Sequence, residues 1–175
     1  ESLKGLSMDA KFGDIDGDGD LDIVIANEFK PNILLINDGS GHFSDESEER
    51  IPQKERDSED VGIADFNGDG HNDIIVVTED DTENELYLNR GDGTFADASD
   101  HLPVEGTSNA VLTADINKDG LPDIIIGNNG QNEILINRGD AQFNVGTEER
   151  LPQLEDVTQD IELGDADGDG DMDLI

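Results

Sequence analysis

Asp14 to Asp22 reads DIDGDGDLD, with acidic side chains at every second position around two glycines. The pattern returns as DFNGDGHND from Asp65, DINKDGLPD from Asp115 and DADGDGDMD from Asp165, the starts lying 51, 50 and 50 residues apart. A fixed period of this length marks one supersecondary unit used repeatedly, so the chain is read as a repeat protein.

Working outward from each loop, more of the period recurs. An apolar, β-branched run follows: Ile23 to Ala26, Ile74 to Val77, Ile124 to Ile126, and Leu174 with Ile175. Such short runs bounded by turn formers read as strands, and their continuous apolar character predicts cover on both faces. A second strand starts at Asn32 (NILLIN), Asn84 (NELYLN) and Asn132 (NEILIN), and a glycine turn then delivers Phe43, Phe95 or Phe143 to a third. Before each loop lies a further strand, in AKFGD from Ala10, VGIAD from Val61, AVLTAD from Ala110 and DIELGD from Asp160. Four short antiparallel strands per period are the unit of a propeller blade. The expected fold class is therefore all-β, a β-propeller of four-stranded antiparallel blades forming one repeat domain over residues 1–175. Approximate repeats are 1–55, 56–105, 106–155 and a partial 156–175, about three and a half in all. The polar connectors ESEERIPQKERDSED, SDHLPVEGTSN and EERLPQLEDVTQ are placed in loops between blades. Opening and closing in mid-repeat, the chain reads as a fragment of a longer ring, or as half of a ring completed by self-association into seven blades.

The loops carry the chemistry. A hard divalent cation takes six to eight oxygens, and a glycine-containing turn with acids at positions 1, 3, 5 and 9 can wrap one. The first loop offers Asp14, Asp16, Asp18 and Asp22, with the carbonyl of Asp20 at position 7. The second offers Asp65, Asn67, Asp69 and Asp73, with that of His71. The third offers Asp115, Asn117, Asp119 and Asp123, with that of Leu121. The fourth offers Asp165, Asp167, Asp169 and Asp173, with that of Asp171. An all-oxygen donor set favours Ca²⁺ over Zn²⁺ or copper, and its flexible count favours Ca²⁺ over Mg²⁺. Up to four ions are expected, one per loop. An EF-hand is excluded, because position 12 (Ile25, Val76 or Ile126) already lies in a strand where that motif needs a glutamate. Water-filled acidic turns are the plainer alternative, but four copies in one register exceed what turn preference explains.

At these residues a family resemblance becomes specific. ADFNGDGHNDIIVV (64–77) followed by ENELYLNRGDGTF (83–95) resembles the FG-GAP/VCBS repeats, which form integrin α-subunit-like propellers with a D-x-[DN]-x-D-G-x-x-D calcium loop between the first two strands of a blade. FG itself occurs only as Phe12-Gly13, and the GAP triplet is replaced by Ile25-Ala26-Asn27 and Ile126-Gly127-Asn128, which points to the bacterial VCBS type rather than a true integrin. The resemblance implies an exported, calcium-stabilised module, extracellular or at the cell surface, that binds a protein or glycan ligand or mediates adhesion. It names no particular ligand. The alternative is the propeller domain of a secreted carbohydrate-active enzyme, a polysaccharide lyase or hydrolase.

Composition narrows the partners. Ten basic against 45 acidic residues give a formal charge of −35, of which four divalent ions would offset eight. Nucleic acid and anionic membranes require basic patches, so neither is an expected partner. No apolar run is long enough for a membrane-spanning helix, so no membrane insertion is expected, and the absence of cysteine rules out disulfides and thiolate metal sites. Halophilic adaptation would spread the acids evenly, whereas many lie in the loops. Arg90-Gly91-Asp92 and Arg138-Gly139-Asp140 spell an adhesion tripeptide, but the equivalent Asp38-Gly39-Ser40 keeps only the glycine, so turn chemistry accounts for them as well. His42, His71 and His101 fall at different points of the repeat and are read as surface residues. Phe43, Phe95 and Phe143 are read as blade packing. No nucleophile elbow or phosphate loop is present, and Lys54, Arg56 and Lys118 are not expected to form the unrepeated cluster that a catalytic site would need. The reading is non-enzymatic.

Overall fold

The computed structural model describes residues 6–79, 83–104, 106–154, 156–170 and 172–175. Three four-stranded antiparallel blades follow one another. The first is β1 (Leu6–Gly13), β2 (Asp22–Lys30), β3 (Ile33–Asn37) and β4 (Phe43–Asp45). The second is β5 (Arg56–Ala64), β6 (Asp73–Thr78), β7 (Glu85–Asn89) and β8 (Phe95–Asp97). The third is β9 (Ser108–Ala114), β10 (Asp123–Gly130), β11 (Glu133–Asn137) and β12 (Phe143–Val145). β13 (Asp156–Val157) leads to a fourth pair, β14 (Leu163–Gly164) and β15 (Asp173–Leu174). Each loop of the repeating motif joins the first two strands of its blade, as in Gly13↔Asp22, Ala64↔Asp73 and Ala114↔Asp123. The fold is all-β, a partial β-propeller.

Two features go beyond the expected unit. The connectors are not plain loops: they hold α1 (Ser47–Arg50), a 3-10 turn at Ser99–His101 and α2 (Thr147–Arg150). Ser47, Ser99 and Thr147 in these turns each accept a backbone N–H from the third strand of their blade, at 2.9, 3.2 and 3.0 Å. Neighbouring blades are also stitched by main chain. β2 pairs with β5 through Glu28↔Asp57 and Lys30↔Arg56, and β10 pairs with β13 through Asn129↔Val157 and Gly130↔Asp156.

The core lies between blades. Val24, Ala26, Leu34 and Ile36 of the first blade face Val61, Ile74, Val76 and Tyr87 of the second. The next layer joins Ile75, Val77 and Leu86 to Val111, Ile124, Ile126 and Leu135. β6 is accordingly buried at all six positions, whereas β2 alternates because only one of its faces is covered within the chain. The recurrent phenylalanines follow the same rule. Phe95 and Phe143 are buried against the blade before them, and Phe43, with no preceding blade among the described residues, is 42% exposed. No helix among the described residues is long and apolar enough to cross a membrane.

Candidate functional site

The four loops share one backbone design. The first aspartate accepts loop N–H groups on both oxygens: Asp14 from Gly17 (2.9 Å) and Gly19 (3.2 Å), Asp65 from Gly68 and Gly70 (both 2.8 Å), and Asp165 from Gly168 (2.7 Å) and Gly170 (3.2 Å). Asp115 does the same with Asp119 (3.0 Å) and Gly120 (2.9 Å). Position 5 caps position 7, through Asp18 to Asp20 N, Asp69 to His71 N and Asp119 to Leu121 N. Position 4 is left-handed as well as position 6. Gly17 and Gly19 lie at φ 81° and 93°, and Lys118 adopts φ 61° where the other loops carry glycine. Glycine at position 4 in three of the four loops is the readable sequence signal of this conformation.

The ninth residue is tied into the blade. Asp22, Asp73 and Asp123 are fully buried, and each bridges its loop to the third strand of the blade. Asp22 accepts N–H groups from Ile15 (2.8 Å) and Asn37 (2.9 Å), Asp73 from Phe66 (2.9 Å) and Asn89 (2.8 Å), and Asp123 from Ile116 (3.0 Å) and Asn137 (2.8 Å). A carboxylate oxygen has two lone pairs, so these bonds leave room for a cation. Burial pushes the Asp73 carboxyl up to about 6 and raises Asp123; burial, then Asp22 and Asp18, raises Asp16.

The structure brings carboxylate oxygens of Asp14, Asp16 and Asp18 within 4.8 Å of one another, and likewise those of Asp165, Asp167 and Asp173. Asp16 Oδ1 is buried with no hydrogen-bond partner, while Oδ2 faces Arg50 at 3.7 Å. In the middle loops Asn67 and Asn117 direct amide nitrogens at Asp69 Oδ2 (3.0 Å) and Asp119 Oδ2 (2.9 Å), and their carbonyl oxygens accept the N–H of those same aspartates at 2.9 Å. Asp171 lies outside the described residues. An all-oxygen set containing an orphaned buried oxygen fits a hard cation.

The first two loops are also gripped by the following blade. Asn72 Nδ2 donates to the Asp14 carbonyl (2.9 Å) and Asn89 Nδ2 to that of Ile15 (2.8 Å). Arg50, bonded to Glu46 at 2.6 Å, reaches the Asp92 carbonyl at 2.9 Å. One interface on, Asn137 Nδ2 (2.8 Å) and Ala141 N (3.1 Å) both donate to the Phe66 carbonyl. These two loops therefore lie where one blade meets the next.

The remaining sequence candidates sort themselves by contact. The Asp92 carboxylate is used locally by Thr94, and Arg90 donates to the Phe95 carbonyl. His42 is exposed, but His71 and His101 are half-buried; His101 Nδ1 lies 3.0 Å from the Ala141 carbonyl across the blade interface. Two of the basic residues meet in the fold. Lys54 and Arg56 converge on the buried Glu85, at 3.8 and 3.9 Å, because the connector and β5 bring them over the end of β7. β1, β5, β9 and the segment before β14 frame a cavity of about 450 Å³ with Lys11, Asp60, Asp160 and Glu162 among its walls. Burial and the bond to Asp9 push the Asp60 carboxyl up to about 6.

No curated protein matches the chain in sequence. Among solved structures, it is similar to one of an Agrocybe aegerita lectin, described as the structural basis of specific recognition of non-reducing terminal N-acetylglucosamine. The TM-score is 0.50 at 22% identity, over 78% of this chain and 36% of that one. The likeness concerns the fold, and the chain spans about a third of that protein's length. The FG-GAP-like repeat matches residues 14–76, 65–126 and 115–175 in succession, each match running from one acidic loop through the next. The chain belongs to the FG-GAP-like repeat family.

Proposed function

We propose that this propeller segment is a non-enzymatic binding or adhesion module of an exported protein, and that Ca²⁺ in its acidic loops fixes one blade against the next. The observation that carries this reading is the first loop. Three aspartates converge there, one with an orphaned buried oxygen, directly beneath the asparagines of the following blade. Gathering those charges in one turn is unfavourable without a cation, so ion binding is coupled to folding of the blade contact. Affinities of roughly 10⁻⁴ to 10⁻³ M, usual for extracellular modules, would leave the segment rigid outside a cell and looser in a calcium-poor interior. The residues that would hold the ions are the aspartates and asparagines at positions 1, 3, 5 and 9, with the carbonyl at position 7.

The test is calorimetric titration of chelator-stripped protein with Ca²⁺ and, separately, Mg²⁺. Saturable calcium binding at up to four sites, reduced by one in Asp69→Ala and unchanged in Arg90→Ala, supports the reading. Absence of saturable binding rejects it.

A further inference from the structure

The second and third blades both spell Arg-Gly-Asp in the turn between their last two strands, and the fold treats the two copies differently. In the second blade the tripeptide is tied down. Thr94 donates to the Asp92 carboxylate through its N–H (3.0 Å) and Oγ1 (2.6 Å), and Arg90 donates to the Phe95 carbonyl at 2.9 Å. Arg50 of the first blade holds the Asp92 carbonyl, also at 2.9 Å. Ordinary turn chemistry accounts for this copy.

In the third blade those ties are gone. Gln142 stands where Thr94 does and, counted from Ser47 and Ser99, Leu102 stands where Arg50 does. Arg138 and Asp140 are both exposed, and among the described residues neither side chain makes a hydrogen bond or ion pair. The backbone beneath them is nonetheless held. Gln142 N donates to the Gly139 carbonyl at 3.1 Å, closing a turn whose central residues, Asp140 and Ala141, are left-handed at φ 53° and 52°. Alanine enters that region at a cost, so the conformation persists only where its surroundings impose it. Ala141 is fully buried in the core that includes Phe66, its N–H donates to the Phe66 carbonyl at 3.1 Å, and Asn137 Oδ1 accepts Gly139 N at 2.9 Å. A completed fourth blade would leave this turn open, since Arg90 and Asp92 stay exposed with the third blade beside them.

A rigid turn that leaves a guanidinium and a carboxylate unspent is preorganised for a partner that takes both. The carboxylate suits a hard divalent cation, and the guanidinium suits a carboxylate, which it pairs bidentately. We propose that Arg138-Gly139-Asp140 is an adhesion ligand for an integrin-type receptor, Asp140 completing the coordination of a cation held by the receptor and Arg138 pairing with a receptor carboxylate. Arg90-Gly91-Asp92, with the same sequence, takes no part. The proposal rests on the reading of the chain as an adhesion module and narrows it to one turn.

Calcium-saturated protein is immobilised, and the ectodomain of an integrin that binds linear Arg-Gly-Asp peptides is passed over it in magnesium buffer. Saturable binding, competed by such a peptide, is expected. Asp140→Glu keeps the charge but moves the carboxylate by one methylene, and Arg138→Ala removes the guanidinium. Neither side chain has a contact to lose within the described chain, so both variants keep the parent's thermal midpoint. Each weakens the receptor about thirtyfold or more, the size of removing one partner of a desolvated charge pair, whereas Asp92→Glu binds as the parent does. Should Asp140→Glu lower the midpoint, Arg138→Ala decides alone. Lack of saturable binding overturns the proposal, as does parental affinity in a folded third-blade variant or an equal loss in Asp92→Glu. A failure of the calcium reading would appear elsewhere, as a thermal midpoint indifferent to chelation.

Discussion

Replacing Asn89 by alanine isolates the bond that holds one blade's loop to the next. Asn89 Nδ2 donates to the carbonyls of Ile15 (2.8 Å) and Asn72 (3.0 Å), and its Oδ1 accepts N–H groups from Gly91 (3.0 Å) and Gly93 (3.1 Å). Asn37 makes the corresponding bonds within its own blade, to Leu21 O (3.2 Å) and from Gly39 (3.1 Å) and Gly41 (3.2 Å), but among the described residues it meets no loop of a preceding blade. The turn and strand bonds therefore cancel between Asn89→Ala and Asn37→Ala, leaving the Ile15 carbonyl as the difference. Ile15 is 1% exposed, so that carbonyl is orphaned away from water. An unmade buried bond of this kind costs about 1–3 kcal/mol, and Asn89→Ala is expected to lose about 2 kcal/mol more than Asn37→Ala. With a urea slope of about 2 kcal/mol/M the extra loss moves the unfolding midpoint by roughly 1 M. Asn137→Ala should fall between the two, because the Phe66 carbonyl keeps the Ala141 N–H. Equal losses for Asn89→Ala and Asn37→Ala would refute the claim that these asparagines tie blades together.

Phe66 is fully buried and packs edge-on to Phe143 at 5.8 Å between ring centres, so Phe66→Ala should cost about 3–5 kcal/mol in urea unfolding. Phe43→Ala, at an exposed position, should cost under about 1 kcal/mol. Lys118→Gly relieves a left-handed residue at φ 61° and should stabilise the third loop by about 1 kcal/mol in the same assay. Burial, then Glu79, Asp57 and Glu28, pushes the Glu59 carboxyl up to about 7 from 4.5. A folded-state value above the unfolded one favours the folded form below the unfolded value, and that contribution is lost as pH rises through the folded value. The parent should therefore lose stability between about pH 4.5 and 7 relative to Glu59→Gln, by roughly 1 kcal/mol after solvent screening, and pH-dependent unfolding of the pair checks this.

Period and hairpin signals were legible because they are local. The acidic loops, the β-branched runs and the glycine turns each occupy consecutive residues, and the strands stand where those signals put them. What joins the blades was not legible, since it depends on contacts between residues far apart in the chain. Asn89 reads as a turn former until it is seen bonding to Ile15, 74 residues away. Asp22 reads as a metal ligand, and only the fold shows its two oxygens clamping Ile15 and Asn37. Lys54 and Arg56 looked scattered because the carboxylate they face, Glu85, is about thirty residues further along in another strand. The burial of Phe95 and Phe143 against the exposure of Phe43 likewise follows from which blade has a predecessor among the described residues, a property of the array rather than of any residue.

The central claim is most directly tested by the thermal unfolding midpoint of chelator-stripped protein as calcium is raised to tenfold above its dissociation constant. Each occupied loop then contributes about 1.4 kcal/mol, moving the midpoint of a chain this size upward by roughly 3–5 °C. A midpoint that climbs with calcium and returns on chelation is the expected result. A midpoint that stays fixed across the titration would mean that the aspartate loops hold the blades together without an ion.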